Sequence, residues 1–316
     1  MNHHLGEVST VRYRVLVPLV LCMALQGDAH RLMGGDTKGS DSKPLFRVGV
    51  DTVFVKVSVT DPLNRYVVGL EKDNFKLFEE KVEQQVTHFV QQAAPISVGI
   101  VFDVSGSMKS NNNINAAKSA IVRFLKSANS EDEFFLITFN QMPRLVTGFT
   151  NESAAIQNEV SFRAPGGRTA VYDAIYMALD QMKKAKNEKK ALILITDGED
   201  NSSRYSTAEV REYAKESDVQ IYGIGEEGQL GYGKGEIQNI VAMTGGRAFF
   251  PNNFNELDYY IDLIHAELRN QYILGYVPNN RSHDGKWRRI HIKLEPPPGL
   301  PRLIVRAKEG YYAPKN

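Results

Sequence analysis

The sequence predicts an α/β protein built on a doubly wound, mostly parallel sheet, with β segments at both chain ends pairing into a small sandwich. Three observations carry that prediction. Between about residues 95 and 268, short apolar runs alternate with amphipathic stretches at helical spacing. The apolar runs are nearly continuous, as in a parallel sheet covered on both faces. Outside that span the period changes to two, the signature of half-buried antiparallel strands.

The elements follow in order. "VRYR" precedes an apolar run of eleven residues, Val15 to Leu25. A bilayer needs roughly 20, so residues 1–29 read as a secretory signal peptide, with Gly27 and Ala29 at the −3 and −1 positions of a cleavage site after Ala29. The alternatives are a lipid anchor on Cys22, which the bulky Leu21 before it disfavours, and a buried first strand or helix. Residues 30–45 are rich in Gly, Ser, Asp and Lys and read as a linker. Residues 46–94 form an N-terminal β unit. There Val53, Val55, Val57 and Val59 share one parity, and Phe75, Leu77, Val86 and Val90 continue the alternation.

Within 95–268, "ISVGIVFDV", "DEFFLITFN", "KALILITDGED" and "VQIYGIG" are strands, and "RAFFPN" is a short edge strand. The intervening helices present Ile114, Ala117, Ile121, Phe124 and Leu125, then Val171, Ile175, Ala178, Leu179 and Met182, to the core. Residues 269–316 return to β, with Trp287 expected to pack across the sandwich.

Composition excludes several functions. The chain has 316 residues, 42% of them hydrophobic, which is ample for a core. Lys and Arg number 38 against 37 Asp and Glu, a net charge of +1, so nothing points to nucleic acid or an anionic membrane. Contact with a membrane is expected only through an uncleaved signal or a lipid anchor. The single cysteine, Cys22, leaves no disulfide after cleavage.

The chemistry lies in three polar groups expected at the carboxyl edge of the sheet, where open α/β sheets bind ligands. The first is Asp103, Ser105 and Ser107, directly after the first strand of the α/β segment. The second is Thr169, after the Gly166-Gly167 turn. The third is Asp197, which ends an all-apolar strand. Each alone reads as a helix cap or a turn. Together they bring two carboxylates and three hydroxyls to one edge, an arrangement that a hard divalent cation resolves. Mg²⁺ suits this donor set best, with Mn²⁺ or Ca²⁺ as substitutes, and the absence of a His or Cys cluster argues against zinc.

"DVSGS", "GGRTA" and "ILITDGED", in that order and spacing, resemble the metal-ion-dependent adhesion site of the von Willebrand factor A domain family over about 175 residues. The resemblance implies that Asp103, Ser105, Ser107 and Thr169 coordinate the metal and that Asp197 acts, often through water. It also implies an open coordination position that an Asp or Glu of a partner protein fills. The expected function is therefore metal-dependent protein binding outside the cytoplasm, in a secreted or periplasmic protein, without catalysis. The flanks, "VSVTDPLNRYVVGLEKDNFKLFEEKVEQQVTHF" and "NQYILGYVP", further resemble an exported bacterial, acidobacterial-type von Willebrand A-related family. Where those sequences carry turn glycines, this chain has Asn64-Arg65 and Glu79-Glu80-Lys81.

Three other functions compete. A Mg²⁺-dependent hydrolase wants a second carboxylate beside the first, where this chain has Ser105 and Ser107. A nucleotide site is suggested by Gly223, Gly225 and Gly228, but Glu226 and Glu227 inside that spacing would repel a pyrophosphate. A metal that only stabilises the domain shares every sequence feature with the adhesion reading. Glu199, Asp200 and Asn201 read as a solvated loop, with rimming the site or binding a second cation as the alternative.

Overall fold

The structure, a computed structural model, describes residues 52–91, 94–227 and 233–315. The expected signal peptide and linker lie outside these residues. The strands are β1 (Val53–Thr60), β2 (Phe75–Glu79), β3 (Val82–Gln84), β4 (Val86–Val90), β5 (Ile96–Asp103), β6 (Glu133–Phe139), β7 (Pro143–Thr150) and β8 (Lys189–Thr196). They continue with β9 (Gln220–Gly225), β10 (Ala248–Phe249), β11 (Tyr272–Tyr276), β12 (Trp287–Leu294), β13 (Ile304–Ala307) and β14 (Gly310–Tyr312). The helices are α1 (Asn113–Lys126), α2 (Ser153–Ser161), α3 (Val171–Met182), α4 (Thr207–Glu216), α5 (Gly233–Met243) and α6 (Leu257–Arg269).

Every residue of β5 and β6 is buried, which only a sheet covered on both faces allows. The central sheet runs β10-β9-β8-β5-β6-β7, parallel throughout except for the antiparallel edge strand β7. One face packs Ile100, Phe102 and Ile193 against Ile121 and Phe124 of α1 and Ile264 of α6. The other packs Val101, Leu192 and Leu194 against Ile175 and Leu179 of α3, Val210 of α4 and Ile240 of α5. Burying one such Leu or Ile is worth about 1.5–3 kcal/mol, so the two layers fix the sheet between them. The chain leaves β5 for α1 and β6 on one side, while β8 pairs with β5 on the other. The crevice at this reversal of strand order is where the three polar loops emerge.

Two elements have little signal in the sequence. No residue of β7 is fully buried, so its strand period is blurred. The helix α2 buries only Ile156 and Val160.

The end segments interleave. One antiparallel sheet runs β13-β1-β11-β4 and the other β14-β12-β2-β3, so each draws strands from both ends of the chain. Their shared core contains Val55, Val57, Leu77, Tyr272, Leu274, Tyr276 and Ile292. The two residues between β2 and β3, Glu80 and Lys81, have φ of 46° and 72°, and Asn64 has φ of 61°. These are left-handed positions held by residues other than glycine, and Glu80-Lys81 makes the two-residue hairpin with the doubly positive φ of a type I′ turn.

The alternate face of β1 is buried as well. Lys56, Ser58 and Thr60 are nearly inaccessible. Lys56 Nζ donates to the Asp218 carbonyl at 3.0 Å and its Oδ2 at 3.1 Å. Gln271 Nε2 donates to Gln220 Oε1 at 2.7 Å. Glu267, fully buried on α6, accepts from Tyr66 at 3.1 Å and Tyr222 at 3.2 Å. The sandwich is thus docked on the amino-end edge of the central sheet through a buried polar layer, opposite the candidate site.

Trp287 departs from the expectation. Arg288, Ile290 and Ile292 take the buried parity of β12, which turns Trp287 to the other face. There it meets Tyr312 edge-on at 5.0 Å, with the Lys215 ammonium 5.6 Å above its ring.

Candidate metal centre

Asp103 ends β5 and is fully buried. Both of its oxygens are held: Oδ1 accepts from the Ser105 backbone N–H at 2.7 Å, and Oδ2 from Thr196 Oγ1 at 2.6 Å. Its carboxyl is pushed up to about 7, chiefly by burial and in lesser part by the nearby Asp197, against the hydrogen bonds from Ser105 and Thr196 that pull it down. A carboxylate so buried is costly unless positive charge or more donors reach it.

The loop then turns so that the hydroxyls of Ser105 and Ser107 share a hydrogen bond at 2.9 Å. Ser105 is buried and Ser107 exposed. The Gly106 N–H donates to the Gly167 carbonyl at 2.9 Å, and the Gly166 N–H to the Val104 carbonyl at 2.8 Å. These bonds lash the first loop to the second. Gly167 has φ of +89°, a conformation that requires glycine.

Thr169 is buried, and its N–H donates to Asn201 Oδ1 at 3.0 Å while the Asn201 N–H donates back to its carbonyl at 2.9 Å. The second loop is thereby tied to the third. Gly198 marks where all three meet: a methyl group built on it would lie 3.1 Å from Ser107 Oγ and 3.3 Å from Thr169 Oγ1. Asp197, the residue before it, is buried; its Oδ2 accepts from Asn113 Nδ2 at 2.9 Å. Its Oδ1 is buried with no hydrogen-bond partner among the described residues.

The structure therefore brings Asp103, Ser105 and Ser107 into one turn, with Thr169 beside Ser107 across Gly198 and Asp197 at the end of the neighbouring strand. Among the described residues no three His, Cys, Asp or Glu side chains cluster around a metal-sized gap; the donors here are chiefly hydroxyls. An all-oxygen set containing an unsatisfied buried carboxylate oxygen fits a hard cation.

Sequence reasoning missed Thr196, Asn113 and the packing role of Gly198. Thr196 directly precedes Asp197, which is a usable signal; Asn113, in a run of asparagines, offers none. Asp200 is engaged by the Tyr172 N–H at 3.2 Å and the Ser203 hydroxyl at 2.5 Å. Of the glycines that suggested a nucleotide loop, Gly223 and Gly225 belong to β9, Glu226 is buried against Asn113, and Gly228 lies outside the described residues.

A doubly wound sheet with this strand order, and with serine, threonine and aspartate loops at its switch point, defines the class. Residues 98–199 match the family model described as von Willebrand factor type A domain, and the chain carries such a domain. A solved structure described as von Willebrand factor type A from Catenulispora acidiphila is similar at 14% identity and a TM-score of 0.52, covering 83% of this chain and 72% of that one. Proximal thread matrix protein 1 from the mussel byssus, solved with a zinc-occupied MIDAS motif, is similar at 21% identity and a TM-score of 0.51, covering 60% of this chain and 49% of that one. Both are likenesses of fold. An uncharacterized protein of Borreliella burgdorferi is 24% identical over 176 residues, 53% of this chain, which spans 50% of the length of that relative.

Proposed function

We propose that this protein is an extracytoplasmic interaction module that captures a carboxylate of a partner protein on a divalent cation, and that it is not an enzyme. Asp103, Ser105, Ser107 and Thr169 would hold the cation, with Asp197 acting directly or through water. The bound cation would supply a Lewis-acidic position for an Asp or Glu side chain. What supports this reading most is that the Ser105 and Ser107 hydroxyls share a hydrogen bond, Ser107 and Thr169 both border Gly198, and Asp197 Oδ1 beside them is buried with no hydrogen-bond partner among the described residues. The all-oxygen donor set favours Mg²⁺, with Mn²⁺ or Ca²⁺ as substitutes, over the zinc held by the mussel protein. Export rests on the N-terminal basic and apolar pattern, and kinship with the exported bacterial family on the flanking segments.

A cation that merely holds the loops together is the weaker reading. The loops are already tied by the Gly106–Gly167, Gly166–Val104 and Thr169–Asn201 hydrogen bonds. The exposed Ser107 leaves the group accessible from solvent.

The test is a pull-down from the extracytoplasmic fraction with the wild-type protein in Mg²⁺, in EDTA, and with Asp103→Ala. Retention that needs both Mg²⁺ and Asp103, with thermal unfolding within a few degrees of wild type, is expected. Retention unchanged by EDTA or by Asp103→Ala overturns the reading.

A further inference from the structure

We infer that Glu226, outside the five-residue set, is a positioning residue that acts through Asn113 to set the charge balance of the candidate centre. This rests on the cation-binding function proposed above. Asn113, the first residue of α1, is 1% exposed. Its two amide N–H groups serve two carboxylates: Nδ2 lies 2.9 Å from Asp197 Oδ2 and 2.7 Å from Glu226 Oε2. Asp197 is 2% exposed and Glu226 5% exposed. Three sequence-distant positions thus form one chain of contacts at the carboxyl edge of the sheet: the start of α1, the end of β8 and the residue after β9.

The arrangement has two consequences. Because Oδ2 of Asp197 is occupied by the amide, Oδ1 is the oxygen left for a cation or its water, and Asn113 fixes that choice. Glu226 adds a third buried carboxylate to Asp103 and Asp197. It stands one amide away from Asp197, outside any coordination shell, so a divalent ion held there has a further negative charge close by and its pull on an incoming carboxylate is damped. Glu226 would hold the cation more tightly and the partner less tightly, an opposition in sign that simple support of the fold would not produce.

The experiment uses the full chain and two probes: Mg²⁺, titrated by calorimetry, and acetate, titrated into the Mg²⁺-loaded protein and followed by amide NMR shifts. Glu226→Gln keeps a hydrogen-bond acceptor for Asn113 and removes the charge. It is expected to weaken Mg²⁺ about tenfold and to tighten acetate severalfold. Asn113→Ser keeps the charge and cuts the link; it is expected to weaken Mg²⁺ without tightening acetate, and it serves alone if Glu226→Gln does not fold. Glu226→Gln that changes neither constant, or weakens both, overturns the inference, as does Asn113→Ser that leaves Mg²⁺ binding unchanged. Asp103→Ala binding Mg²⁺ like wild type would instead overturn the underlying proposal of a cation site.

Discussion

Gly198→Ala perturbs the proposed centre without replacing any proposed ligand. Gly198 has no positive φ, so alanine is compatible with the backbone there. Its new methyl would lie 3.1 Å from Ser107 Oγ, 3.3 Å from Thr169 Oγ1 and 3.6 Å from Thr169 Cγ2. Relief requires the two hydroxyls to part by a few tenths of an ångström. Such overpacking costs the fold about 1 kcal/mol. The effect on a cation is larger. Mg²⁺ demands oxygens near 2.0–2.1 Å in octahedral geometry, whereas Ca²⁺ accepts about 2.3–2.6 Å and a looser shell. The account predicts Mg²⁺ affinity reduced about ten- to hundredfold, or about 1.4 kcal/mol per factor of ten, and Ca²⁺ affinity reduced less. Calorimetric titration with both ions, beside a thermal melt, checks this. Unchanged Mg²⁺ affinity, or an equal loss for both ions with an unshifted melt, would refute the reasoning.

Other predictions concern the frame that positions the centre. Saturating Mg²⁺ at about 100 times its Kd should stabilise the wild type by about 2.7 kcal/mol by mass action; chemical denaturation with and without EDTA measures it, and no difference speaks against a cation site. Lys81→Gly should raise the melting temperature by a few degrees, since glycine adopts the φ of 72° without strain. Glu267→Ala removes the acceptor of the buried Tyr222 hydroxyl, while Tyr66 keeps the Leu263 carbonyl, and should cost about 1–3 kcal/mol, read from a shift in denaturation midpoint. Gly99→Ala places a methyl 2.1 Å from the Phe135 ring and 2.5 Å from Leu192, and should destabilise by about 3 kcal/mol or more or prevent soluble expression.

Much of the fold is legible because its strands and helices obey their periods. All ten apolar positions assigned inward on α1 and α3, from Ile114 to Met182, are buried. The same rule fails where a polar residue is buried by a neighbouring layer. Lys56 and Ser58 alternate with valines as if facing solvent, yet they face the central domain and pair with Asp218 and Gln271. No local pattern records that a layer forms on the far side of a strand. Trp287 fails for a related reason: the buried Arg288 bonded to Asp284 takes the inward parity, which hydrophobicity alone assigns to tryptophan. At the candidate centre, the five motif residues stand out because each of the three groups they fall into is itself a short pattern, right after an apolar strand or a glycine turn. Asn113 and Glu226 acquire meaning only when α1 and β9 bring the Asn113 amide between the Asp197 and Glu226 carboxylates.

The central claim is tested most directly by a crystal grown in Mn²⁺, with anomalous scattering recorded at the manganese edge. The account predicts a single strong peak among Asp103, Ser105, Ser107, Thr169 and Asp197, lost in Asp103→Ala crystals. A well-ordered site with no peak there, or manganese bound elsewhere while this group stays empty, would contradict it.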